Sequence, residues 1–285
     1  MPLFDVYIAV DFSGSKHPAR QRRSIAFAEW DRSLLPYIRK DFTRPEVTSY
    51  LLERIIYYNS YGKRVLCGFD FQYSFPQGFW YVLTSLPETW INILQGMANG
   101  VAGLPPITEE PESNARQWAD IANQRIAHLL EMRVGPFWGP NFSQATNPKF
   151  PFPYAPFEEF RLVEKRIEGS KPIFKIGGRG AVGLQSLCGI PYLFHIRDTC
   201  SQQNIPLHCW PFDGWDAAGP AHILVEWYPA IQNQGQKSDE EDALSCVRWA
   251  KIKDDQGKLS NFLIPPLLDS ERTQAMLEGW VLGVL

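Results

Sequence analysis

An apolar run near the start of the chain, Tyr7-Ile8-Ala9-Val10, ends in one carboxylate, Asp11, and then turns through Phe12-Ser13-Gly14-Ser15. A short continuous apolar stretch closed by turn residues predicts a buried strand that delivers Asp11 to one end of a sheet. Arg64-Val65-Leu66-Cys67-Gly68-Phe69-Asp70 repeats the arrangement. Between the two, Lys16 to Arg23 is strongly basic and Ser24 to Trp30 is strand-like, which predicts a β-hairpin with a basic tip. Leu34 to Phe42 supplies a third strand. From Pro45, the apolar positions Val47, Tyr50, Leu51, Ile55 and Tyr58 recur at helical spacing and Gly62 follows, giving an amphipathic helix of about four turns. Three strands, a helix and a strand in that order predict a mixed sheet, its first hairpin antiparallel and its later strand entering by a right-handed crossover. Parallel neighbours joined that way end on the same side, so Asp11 and Asp70 are expected to converge.

Residues 71–170 break this rhythm. Phe71-Gln72-Tyr73-Ser74-Phe75-Pro76 is aromatic-rich, and helices are expected over Thr89 to Ala98 and Ser113 to Met132, the second with an apolar stripe through Trp118, Ala122, Ile126 and Leu129. Val134 to Pro140 and Lys149 to Phe157, rich in proline and aromatics, read as ordered loops whose rings cover core or line a cleft. Phe160 to Ile167 reads as a short helix. Gly178, Gly180 and Gly183 match G-x-G-x-x-G, but Asp198 closes a helical pattern, whereas a dinucleotide fingerprint needs its acidic residue at the end of a strand. The glycines therefore read as a close turn opening a helix through Leu184 to Leu187. Ile205 to Phe212 is a short strand, and Ala221 to Pro229 is a buried one that carries Glu226 near its end. After Ser238, a helix places Asp239, Asp242, Ala243, Cys246, Val247 and Ala250 on one face, so two aspartates share the face that small and apolar residues turn to the core. The chain reads as one α/β domain over 1–285, with 71–170 mainly a helical and loop insertion.

With 285 residues, 45% of them hydrophobic, the chain can bury one elaborated core. A formal net charge of −3 excludes global attraction to nucleic acid, leaving Lys16, Arg20, Arg22 and Arg23 as a local patch where phosphates could be met. Five cysteines are scattered without a Cys-x-x-Cys pair, and no run is long and apolar enough to span a bilayer or to serve as a secretory signal. The expectation is a cytoplasmic protein with reduced thiols and no membrane partner. His208 with Cys209 and Cys200 fits no usual zinc spacing.

The chemistry lies in the carboxylates. Asp11 and Asp70 at one end of adjacent strands suit a divalent metal, the inward Asp239 and Asp242 favour the same site, and Ser13, Gly14 and Ser15 offer N–H groups and hydroxyls to a phosphate. Two strand aspartates with a carboxylate from a late helix form the metal-binding pattern of the ribonuclease H-like fold. The chain resembles a family of uncharacterised proteins predicted to be ribonuclease H-like nucleases. The resemblance rests on Val10 to Ser15, Gly68 to Asp70, Gly180 to Gly183, Leu187 to Pro191, Trp210-Pro211-Phe212, Val225 to Pro229, Asp239, Asp242-Ala243 and Glu278-Gly279-Trp280. It covers most of the chain in short pieces. It implies metal-dependent hydrolysis of a phosphodiester in nucleic acid or a small phosphoester, with catalytic Asp11, Asp70, Glu226 and Asp242, and with Mg²⁺ or Mn²⁺ held by Asp11, Asp70, Asp239 and Asp242. Ser13, Ser15, Lys16, Arg20, Arg22 and Arg23 would then hold substrate. Two other readings stand beside it. Asp11-Phe12-Ser13-Gly14-Ser15-Lys16 resembles the phosphate turn of actin-like ATPases and sugar kinases, although bulky Phe71 follows Asp70 where that class offers glycine. The aromatic, proline-rich segments would also suit a non-catalytic scaffold.

Overall fold

The computed structural model describes residues 2–109, 112–139, 149–178, 180–232 and 238–285. Residues 110, 111 and 140–148, within the expected insertion, and Arg179, within the glycine turn, lie outside the described residues. In chain order the elements are β1 (Val6–Asp11), α1 (Pro18–Ser24), β2 (Ala26–Asp31), β3 (Tyr37–Arg39), α2 (Arg44–Ser60), β4 (Val65–Phe69), α3 (Phe79–Thr84), α4 (Trp90–Asn99) and α5 (Ala115–Leu129). There follow α6 (Gly183–Gln202), β5 (Leu207–Cys209), β6 (His222–Glu226), α7 (Pro229–Gln232), α8 (Asp239–Asp255), α9 (Leu259–Leu263) and α10 (Asp269–Glu278). The strands form one mixed sheet in the order β3-β2-β1-β4-β6-β5. β1 pairs antiparallel with β2 and parallel with β4, and β4, β6 and β5 are parallel.

Two compact units divide the chain: Met1–Phe71, His195–Asp269 and Gly279–Leu285 make the first, Gln72–Phe194 with Ser270–Glu278 the second. In the first unit the hairpin of β1 and β2 forms, but its basic tip is the helix α1. Pro18 at the first turn suits a helix start, and Ala19, Arg20, Gln21, Arg22 and Arg23 are all good helix formers. α2 starts on a capping box, with Thr43 and Glu46 each satisfying the other's backbone. Alternation along the strands sorts their side chains. Phe27 and Glu29 face α2, where Arg54 pairs with Glu29 at 2.7 Å. Tyr7, Ala9 and Asp11 face α8, whose far end is fixed by Asp254: its carboxylate accepts from Tyr7 Oη at 2.6 Å and from the N–H of Leu3 at 2.8 Å. α8 therefore runs antiparallel to β1, and its N-terminus lies at the Asp11 end.

The second unit is built around aromatic rings. Phe75, Phe79, Phe137, Phe157 and Phe174 are buried, with Phe79 5.1 Å from Phe174 and Phe137 6.1 Å from Trp118 between ring centroids. The loops around Phe137 and Phe157 thus supply core. Beside the rings sits a buried polar network: Arg161 Nε donates to Glu164 Oε1 (2.8 Å), Arg161 Nη1 to the Glu278 carbonyl (2.9 Å), and Gln72 Nε2 to Glu164 Oε1 (2.8 Å). The helix expected over Phe160 to Ile167 is only one 3₁₀ turn, Glu164–Arg166, with Glu164 Oε2 accepting from the Arg161 N–H at 3.0 Å. α6 joins two stretches that the sequence separates, carrying Pro191 inside a continuous helix.

Gly68 is where the sheet tolerates no side chain. Trp227 Nε1 reaches over it to the Ile8 carbonyl at 3.2 Å, and a methyl group on Gly68 would run into the Val225 carbonyl. Gly68→Ala is expected to cost about 3 kcal/mol, the upper range for overpacking, read as a lowered denaturant midpoint in a urea titration. A variant as stable as wild type would show that β4 and β6 can separate without loss.

Candidate functional site

β1 and β4 end together. Val10 pairs with Phe69, the Asp70 N–H donates to the Val10 carbonyl at 3.2 Å, and Asp70 Oδ1 accepts from the Phe12 N–H at 2.7 Å. That last bond folds the second aspartate back over the end of β1, beside Asp11. From above, α8 brings its first turn, begun by Ser238, whose hydroxyl accepts from the Glu241 N–H at 3.3 Å. The Asp11 carboxyl is pushed far above the usual carboxylate range, first by burial and then by the charges of Asp70, Asp239 and Asp242, with Lys40 opposing them. The Cys246 thiol, one turn further along α8, is likewise pushed up by burial and then by Asp70, Asp11 and Asp242. Asp11, Asp70, Asp239 and Asp242 thus lie within electrostatic reach of one another.

Glu226 is placed differently. It ends β6 and pairs with Phe69, so alternation turns it to the Phe69 face, opposite the face of Asp70. One residue of register separates it from the cluster.

Ser13 and Ser15 form a turn tied down from below. Arg44, fully buried, donates from Nη1 to the Ser13 carbonyl (2.6 Å) and the Ser15 carbonyl (2.7 Å), while Gln21 Nε2 reaches the Ser15 carbonyl at 2.9 Å. The basic residues split. Lys16, Arg20 and Arg23 are exposed, Arg23 donating from Nε to the Ala19 carbonyl at 3.2 Å, and Arg22 is half-buried, 2.6 Å from Glu46 and 2.9 Å from the Asp41 carbonyl. Sequence reasoning missed two residues here. Lys40 stands against α8, 3.0 Å from Glu240 and 3.6 Å from Asp239, and Arg44 braces the serine turn. Lys40 falls in the stretch expected to form the third strand, and Arg44 lies just before the helix expected from Pro45.

The oxygens of this cluster suit a hard divalent cation. Their spacing is open: among the described residues no three His, Cys, Asp or Glu side chains are gathered into a group that could hold a metal ion. Among the described residues, too, no helix is long and apolar enough to cross a membrane. No family model, curated protein or solved structure matches the chain.

Unfolded, Asp11 loses its proton near pH 4, the usual range for its type. Folded, it keeps that proton to a higher pH, so the folded state binds more protons across the window above about pH 4, and stability falls as pH rises through it. Without divalent cations, the melting temperature is expected to decline from mildly acidic toward alkaline pH. Asp11→Asn, which removes the titrating group, should flatten the decline and stabilise the protein at about pH 8 by about 2 kcal/mol. Parallel curves for the two proteins would show that the charges around Asp11 are already neutralised.

Proposed function

We propose that the chain is a metal-dependent phosphodiester hydrolase of the ribonuclease H-like type. The observation that carries this reading is the half-buried Asp11 set among the charges of three further aspartates, one from the end of β4 and two from α8, an arrangement of like charges that costs stability unless a cation offsets it. Asp11, Asp70 and Asp242 would hold the ion, with Asp239 completing the shell. Bound there, Mg²⁺ or Mn²⁺ would supply a hydroxide nucleophile and offset the charge on the leaving oxygen. Glu226, on the other face of the sheet by register, would shape the end of β6 without touching the ion. Lys16, Arg20 and Arg23 would meet substrate phosphates, so binding should weaken with salt, while Arg44 would hold the Ser13 to Ser15 turn in place.

The phosphate-turn reading fares less well. Phe71 packs 5.0 Å from Phe12 and 5.2 Å from Phe69 between ring centroids, filling the position after Asp70 with aromatic core.

Two measurements test the proposal. Single- and double-stranded DNA, RNA and bis(p-nitrophenyl) phosphate are incubated with Mg²⁺ or Mn²⁺; cleavage should fall by at least about a hundredfold in Asp11→Asn, more than loss of an outer-sphere partner costs. Cleavage unchanged by that substitution would exclude the mechanism. Separately, Mn²⁺ should raise the melting temperature of wild type and not of Asp70→Asn. If both melt alike with and without metal, the non-catalytic scaffold becomes the better reading.

A further inference from the structure

The second unit holds an open cavity of about 1100 Å³, larger than most small-molecule pockets. Aromatic rings stand among its walls: Tyr81 is 59% exposed and Phe152 and Phe160 are half-buried. Among the described residues, every charged side chain lining it is a carboxylate, namely Glu88, Glu158, Glu159 and Glu278. Two of these are held rigidly. Glu88 accepts from the N–H groups of Gly78 (2.7 Å) and Trp80 (2.9 Å), and Glu278 from those of Gln77 (2.7 Å) and Leu162 (2.6 Å). Such bonds fix where the two carboxyl groups sit. Glu158 is partnered by Lys165 at 2.8 Å outside the lining. Glu88 and Glu159 are both pushed up by burial, Glu88 also by the charge of Glu278, with Lys149 partly relieving Glu159.

We infer that this groove docks an extended peptide of a partner protein through its arginine or lysine side chains. Flat or compact organic cations bind where aromatic faces stand beside carboxylates, the ring meeting the cation's face and the carboxylate its N–H groups. The volume of the cavity, about 1100 Å³, is more than a single amine would fill and favours a peptide. Phosphate would be repelled here, so the groove is no path for a nucleic acid, and the inference stands apart from the hydrolase reading.

The test uses the full chain at low salt, with a capped hexapeptide carrying two arginines, its twin with citrulline in their place, and free agmatine, each titrated calorimetrically. The arginine peptide should bind about tenfold tighter than the citrulline twin, as loss of a charge-assisted contact requires. Tyr81→Ala and Glu159→Gln, both at positions outside the buried core, should each weaken it about fivefold while leaving the melting temperature unchanged. Equal affinity for the two peptides, or no saturation by the arginine peptide at millimolar concentration, overturns the inference. Agmatine binding as tightly as the peptide also overturns it, since the site would then belong to a small amine.

Discussion

The register of β1 against β4 is the constraint on which the candidate site depends. Pairing Val10 with Phe69 leaves Asp11 and Asp70 as neighbours at the point where both strands stop, and the Phe12 N–H to Asp70 Oδ1 bond keeps the second carboxylate over the first. Two carboxylates side by side repel, and at half-buried positions less water is left to screen them. The fold holds them there because the rest of both strands is apolar and buried, so the core supplies the stability that the strand ends spend.

α8 adds to the strain and also orients it. Its C-terminal end is moored by Asp254 to Tyr7 and to the backbone of Leu3 and Phe4, with Arg32 completing the cluster. A helix moored at one end and laid antiparallel on β1 has no choice about where its other end falls. Its acidic first turn, favourable to the helix dipole, therefore arrives beside two aspartates already in tension. Lys40 answers part of that charge from the segment after β3, and Arg22, engaged by Asp41 and Glu46, helps hold that segment.

The second unit solves a different problem. Rings packed edge-to-face and tilted against one another take the place of a sheet. Buried charge there is met by backbone and side-chain donors, as at Arg161 with Glu164 and Glu278. Carboxyl groups fixed by backbone donors at the edge of an aromatic core line the open cavity of this unit.

Local sequence determined what depends on local periodicity. β1, β4 and β6 were legible as apolar runs, α2 as a helical pattern between Pro45 and Gly62, and α8 from its Ser238 cap and repeating small residues. Together they sufficed for the α/β class, the mixed sheet and the convergence of Asp11 with Asp70. The sequence does not distinguish α1 from a loop, because a run of cations looks the same in a solvated turn and in an exposed helix, and Pro18 is at home in either. Tertiary structure alone decided the rest, because the deciding partners are far apart in the chain. Glu226 leaves the Asp70 face through a single step of register, which no property of Val225-Glu226-Trp227 reveals. Lys40 and Arg44 gain their roles from Glu240 and from the Ser13 and Ser15 carbonyls, contacts that exist only once the sheet and α8 have assembled around them.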